Sequence, residues 1–192
     1  NWILSLLEDR EGNIWIGTHS GGINKFDKKT GNFSNYKVTT DNLKSLKNNR
    51  VWTIFENNDG TLFFGTSGGL NIFSKDKKSY INLSNNPLDK NSLSNDAVND
   101  IFKDSKGNIW VATFGGGLNK LVKNGNKFSF ERFDDKPGLE LLSTSKIKKI
   151  VEDKQGIIWL ATFSDGVIRF DPVSNSIYKY QFAGDNSNNN RI

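Results

Sequence analysis

The chain has 192 residues, with 26 Lys and Arg against 21 Asp and Glu for a net charge of +5, one His, and no Cys or Met. That composition excludes a disulfide scaffold, a zinc ribbon, a thiol nucleophile and a multi-histidine metal centre. The longest apolar runs, about five residues, fall far short of the ~20 that cross a bilayer as a helix. The charge is mostly lysine and is scattered in short pairs such as Lys28-Lys29, Lys77-Lys78 and Lys148-Lys149. This reads as a solvated surface, not as the concentrated stripe of a nucleic-acid face. Fourteen Phe and five Trp imply a core built on a few large rings, each burying roughly 150–250 Å². A chain that opens at Asn1 reads as an excised piece.

In chain order, the first unit is an apolar run at residues 3–7, then Asp9-Arg-Glu-Gly12, then Asn13-Ile-Trp15-Ile-Gly17-Thr18. The run is rich in aliphatic residues, as strands are. The Asp-x-x-Gly stretch reads as a tight turn in which Gly supplies positive φ. A glycine cluster, Ser20-Gly21-Gly22, leads to a third strand at 23–26. A second turn, 27–31, leads to a fourth strand at 33–36. The same phrase returns three times. Its turn glycines are Gly12, Gly60, Gly107 and Gly156, at intervals of 48, 47 and 49 residues. Its aromatics are Trp15, Phe63, Trp110 and Trp159, each followed two residues on by Gly17, Gly65, Ala112 or Ala161. The later first strands are expected at 51–55, 98–102 and 147–151, and the later fourth strands at 80–83, 128–133 and 177–182.

Four strands per repeat with nothing helical between them is one blade of a β-propeller. The predicted fold is therefore all-β: four four-stranded antiparallel blades, approximately residues 1–48, 49–95, 96–144 and 145–192. The first strand of each, the most uniformly apolar, is expected nearest the axis. The aromatic should wedge between blades, and the small residue two positions on should suit crowded ground near the axis. A β-sandwich accounts for the strands but not for one aromatic per repeat. Residues 190–192 read like the opening of a fifth blade, so the chain is expected to be part of a larger ring.

The stretch from Glu8 to Asp27, with Thr30-Gly31-x-Phe33-x-x-Tyr36 after it, resembles the two-component regulator propeller repeat, and the resemblance covers all four units. It implies a propeller of about seven blades in the extracytoplasmic sensor of a bacterial membrane protein. It further implies an attached histidine kinase, an oligosaccharide ligand and control of polysaccharide-use genes, with the sensor on the periplasmic or extracellular side. The second unit departs with Phe63 for Trp, and the fourth with Ile157 for Asn and Asp165 inside the glycine cluster. The repeat motif is structural in that family, so it assigns no ligand residue here.

Asp9, Asp104 and Asp153 are read as turn caps. One carboxylate per turn is too few for calcium, and no metal site or cofactor is expected. The glycine clusters precede strands, so the helix terminus of a phosphate loop is missing. Loops from strand two to three and from blade to blade share one propeller face; of the latter, 39–49, 85–96 and 134–144 run about ten residues or more, and 185–190 is shorter. A sugar needs an aromatic platform and forked polar groups. The candidate ligand-binding residues on that face are His19, Arg50, Asn99, Phe114, Lys146, Phe163 and Asp165, with Trp2 and Trp52 as further aromatics. No catalytic residue is assigned. A glycosidase needs two carboxylates flanking one bond, and a lyase of the streptogramin type leans on histidine, where His19 stands alone. The expected partners are an oligosaccharide and, for the uncovered end sheets, the remaining blades of the same chain or a second copy. The alternative is a scaffold propeller that docks protein.

Overall fold

In a computed structural model, residues 2–39, 45–73 and 79–181 are described. Among them, four separate four-stranded antiparallel sheets follow one another along the chain, each a simple meander. The first holds β1 (Ile3–Glu8), β2 (Ile14–Thr18), β3 (Ile23–Phe26) and β4 (Phe33–Tyr36). The second holds β5 (Val51–Glu56), β6 (Leu62–Thr66), β7 (Gly69–Phe73) and β8 (Tyr80–Leu83). The third holds β9 (Val98–Lys103), β10 (Ile109–Thr113), β11 (Leu118–Asn124) and β12 (Lys127–Glu131). The fourth holds β13 (Ile147–Glu152), β14 (Ile158–Thr162), β15 (Val167–Asp171) and β16 (Ser176–Tyr180).

The first strands lie side by side, β1 against β5, β5 against β9 and β9 against β13. They therefore line the axis, as their apolar character predicts. Each carries the same irregularity. The pairing steps from Ile3 to Ser5, from Val51 to Thr53 and from Ile147 to Lys149, and β9 breaks at the matching place opposite Ala112 and Thr113. Leu4, Trp52, Asn99 and Lys148 are the skipped residues. A bulge of this kind bends a strand and re-aims its side chains.

The small residues of the second strands are explained by close approach. A Cβ on Gly65 would sit 2.9 Å from the Val98 carbonyl oxygen and 2.5 Å from Thr53 Cγ2. Each threonine after them clamps the glycine loop: Thr18, Thr66, Thr113 and Thr162 donate their hydroxyls to the carbonyls of Gly22, Gly69, Gly117 and Gly166 at 2.8–2.9 Å.

The core is three inter-blade layers, not four intra-blade ones. Trp15 is sealed by Leu46 of the connection and by Val51, Ile54, Leu62, Phe64 and Phe73 of the next unit. Phe63 and Trp110 play the same part in the following two layers. The aromatic wedge is thus present at all three interfaces.

The structure corrects the expectation that nothing helical intervenes. One helical turn, α1 (Leu141–Thr144), lies in the third blade-to-blade connection and buries Leu142 completely. Leu46 and Leu93 occupy the same place in the earlier connections and are equally buried. These connections are therefore partly structural, each planting a leucine five residues ahead of the next inner strand. Loop residues 40–44 and 185–190 lie outside the described residues.

Candidate ligand-binding cleft

The residue after each clamping threonine donates its backbone N–H to the residue just before the inner strand of the same blade. The four bonds are His19 to Trp2 at 3.0 Å, Ser67 to Arg50 at 3.2 Å, Phe114 to Ala97 at 2.9 Å and Phe163 to Lys146 at 2.8 Å. These bonds place four equivalent pairs on one rim. The blade-to-blade connections join the same rim, since Gly22 and Gly69 donate to the carbonyls of Asn49 and Asp96 at 3.0 and 2.7 Å.

Below the rim the inner strands of all four blades enclose a cleft of about 770 Å³. Blade one contributes Leu4, Ser5 and Leu6, and blade two Arg50, Trp52, Thr53, Ile54 and Ser67. Blade three adds Ala97, Asn99, Asp100 and Phe114, and blade four Lys148, Lys149 and Phe163. The wall therefore passes from apolar through aromatic and amide to cationic.

Of the residues singled out from sequence, the structure gathers Arg50, Asn99, Phe114 and Phe163 on this wall, with Trp52. The Phe114 and Phe163 rings meet edge to face, centroids 5.7 Å apart, and Phe163 is 64% exposed. Lys146 stands on the rim with its Nζ 5.3 Å from the Phe114 ring centroid. Trp52 donates its indole N–H to Ser67 Oγ at 2.9 Å, and the Arg50 guanidinium lies 5.6 Å from the Trp52 ring. Asn99 donates its amide to the Ile147 carbonyl at 2.8 Å.

Two candidates lie elsewhere. His19 packs against Trp2 of its own blade, centroids 5.6 Å apart. Asp165 is outside the cleft, held at 3.2 Å by Lys179 of β16.

Sequence reasoning passed over Lys148, Lys149 and Asp100. Asp100 is buried and bound three ways: by Lys149 Nζ at 2.8 Å, by the Ile150 backbone N–H at 2.8 Å and by the Thr53 hydroxyl at 3.4 Å. The signal for these residues was the repeat phase itself. Leu4, Trp52, Asn99 and Lys148 are equivalent, so Asn99 belongs one pair deeper than Arg50 and Lys146. Among the described residues no three His, Asp or Glu side chains gather where they could hold a metal ion.

The family model described as "Two component regulator propeller" matches four segments, residues 1–20, 45–68, 92–115 and 141–164. The chain belongs to the two-component regulator propeller family. Each match runs through an inner strand, its Asp-x-x-Gly turn (Asn57-x-x-Gly60 in the second unit) and the following aromatic strand, and so through the repeated framework described above.

Among solved structures, this propeller chain is similar to the extracellular domain of a protein assigned as the hybrid two-component system BT3049 from B. thetaiotaomicron. The TM-score is 0.81 at 22% identity, over 96% of this chain and 25% of that one. The extracellular domain assigned to BT4673 of the same organism gives 0.73 at 22% identity, over 93% and 25%. Virginiamycin B lyase from Staphylococcus aureus gives 0.65 at 16% identity, over 95% and 56%. At these identities the likeness is one of fold, and the chain spans about a quarter of the length of the two-component structures. A comparison with curated proteins found no match.

Proposed function

We propose that this segment is a ligand-sensing part of the extracytoplasmic region of a two-component regulator, on the periplasmic or extracellular side. Its axial cleft takes an oligosaccharide, and a histidine kinase in the parent protein reads the occupancy. The observation that carries the reading is the convergence on one cleft of three aromatic side chains, Trp52, Phe114 and Phe163, with the forked groups of Arg50 and Asn99. Flat rings take the apolar face of a sugar and forked polar groups take its hydroxyls. The family and the extracellular two-component domains among its structural relatives support the signalling role. Binding would act by shifting the population of packing states, with no bond made or broken.

Hydrolysis is disfavoured by the wall's chemistry. Its one carboxylate, Asp100, is buried and bonded on both oxygens, whereas glycosidases need a facing pair roughly 5–9.5 Å apart. Lyase chemistry of the histidine type would need His19, which lies against Trp2 outside the wall.

A second reading, a protein-docking scaffold, is favoured by the uncovered sheet faces at the two ends. On the first blade Leu6 is 64% exposed, whereas its equivalents Ile54, Ile101 and Ile150 are 8%, 5% and 1% exposed. We propose that further blades of the parent chain, or a second copy, cover these faces.

Calorimetry of the chain against a panel of oligosaccharides tests the main reading. Binding should be seen, and Phe114→Ala with Phe163→Ala should weaken it at least about tenfold, since each stacked ring contributes on the order of 1 kcal/mol. Silence across a broad panel would leave the scaffold reading.

A further inference from the structure

The cleft is not electrically neutral. Its wall carries Arg50, Lys148 and Lys149 against one carboxylate, Asp100, and Lys146 stands on the rim beside Phe114. Lys149 is committed to that carboxylate at 2.8 Å. Arg50, Lys146 and Lys148 have no carboxylate partner among the described residues. Two acids of the rim loops are themselves engaged: Asp165 by Lys179, and Asp96 by the Asn85 backbone N–H at 2.6 Å.

These three cations are not scattered. Each lies beside one of the cleft's aromatic rings: Arg50 5.6 Å from Trp52, Lys146 5.3 Å from Phe114 and Lys148 6.0 Å from Phe163. A cation at that distance over a ring face is attracted to it, so every aromatic platform has a positive charge held next to it. The cations come from two blades, Arg50 from the second and Lys146 and Lys148 from the fourth, and from two different levels of the repeat, while the rings beside them come from three blades. The equivalent first-blade positions hold Trp2 and Leu4, and the third blade's rim holds Ala97. The charge is therefore a property of this cleft and not of the propeller repeat.

We infer that the ligand of the cleft is an anionic glycan, a chain whose sugars carry carboxylate or sulfate groups. This deepens the oligosaccharide reading and rests on it. Trp52, Phe114 and Phe163 would take the sugar rings, and Arg50, Lys146 and Lys148 the acidic substituents. Arg50 offers the planar fork that binds carboxylate or sulfate in a bidentate manner, and the lysines act as point charges. With like charges gathered in a walled cleft, the field is focused and an anion is drawn in from solution.

The test is calorimetry of the 192-residue chain with size-matched probes: a neutral maltohexaose, an oligogalacturonate, a chondroitin sulfate hexasaccharide and inorganic sulfate. One or both acidic oligosaccharides should bind at least tenfold tighter than maltohexaose, and their binding should weaken as salt is raised. Arg50→Gln combined with Lys148→Gln should cost the acidic probe at least tenfold, and Lys148→Arg should keep its affinity. Circular dichroism confirms that the variants fold, and the Lys148→Arg variant keeps the comparison meaningful should the double variant not. Chondroitin sulfate carries both groups, so an unsulfated chondroitin hexasaccharide of the same length tells carboxylate from sulfate. Equal binding of neutral and acidic glycans, unmoved by the Gln variants, would overturn the anionic assignment while leaving the oligosaccharide reading intact. Binding of inorganic sulfate alone would overturn the glycan ligand, and silence with every probe would overturn both.

Discussion

The repeated Asp and Trp are one device. Trp15, Trp110 and Trp159 donate their indole N–H to Asp9, Asp104 and Asp153 at 2.7, 2.9 and 2.7 Å. The same carboxylates accept backbone N–H groups across the turn, from Asn13, Asn108 and Ile157. At the joint of the second and third units three residues change together. Phe63 has no N–H to give, Asn57 replaces the aspartate, and Lys103 of the next blade donates to Asn57 at 2.9 Å. In the units that keep the aspartate, the next blade supplies a glutamate instead: Glu56 accepts from Arg10 N–H at 3.0 Å and Glu152 from Ser105 N–H at 2.7 Å. The polarity of the interface latch is thus reversed between blades two and three. Asp104→Asn should leave the indole and turn N–H groups poorly matched and destabilise the fold by roughly 1–3 kcal/mol in a urea titration. The pH dependence has a definite sign. Burial pushes Asp104 up, but donors from Asn108 and Trp110 outweigh it and hold its pKa below 3.8. The Trp159 indole does the same for Asp153. A carboxylate depressed in the folded state contributes stability above its unfolded pKa and loses it as pH falls through the folded one. The melting temperature should therefore be level near neutrality and fall below about pH 4, and that fall should be shallower in Asp104→Asn.

At the scale of strands and connections, the fold was legible because each unit spells its turn, its aromatic and its small residue in the same order. Gly65 shows why the small residue is obligatory where the next blade's carbonyl stands 2.9 Å from its missing Cβ. Gly65→Ala should cost about 1–3 kcal/mol by overpacking, although blades three and four carry Ala at the same register. The connections were misread because their polar composition hides one buried position. Leu46, Leu93 and Leu142 each lie five residues before an inner strand, a phase visible in the sequence but masked by unequal loop lengths. Leu93 is fully buried and Leu88, in the same connection, is 96% exposed. Leu93→Ala should cost 2–5 kcal/mol by leaving a cavity, whereas Leu88→Ala should move the denaturation midpoint very little. The candidate site was half legible for a related reason. Rim residues such as Arg50 and Phe163 follow from loop position, whereas Lys148 and Asp100 reach the cleft through a one-residue bulge that the repeat phase locates only once one copy of it is seen.

At the scale of the whole molecule, the two terminal sheets present unlike faces that match one another. On the fourth blade Trp159 stacks on Tyr180, centroids 5.8 Å apart, as Trp15 stacks on Tyr36 at 5.6 Å. Trp15 is capped by the following blade and fully buried, whereas Trp159 is only half-buried. The first blade exposes the opposite half of the joint. Leu6 stands where Ile54 and Ile150 cover a preceding aromatic, and Glu8 holds the place of the latch acceptors Glu56 and Glu152. A joint of two different surfaces is heterologous, so copies of the chain should meet head to tail. Light scattering of the isolated chain should then give a mass above 21.6 kDa that rises with concentration. Leu6→Glu should abolish the association without lowering the melting temperature, because the residue is already in solvent. Trp159→Lys should abolish it equally. A face-to-like-face dimer would respond differently, since only one of the two substitutions would break it. A wild-type chain that stays at 21.6 kDa at every soluble concentration would show that the two faces do not recognise each other.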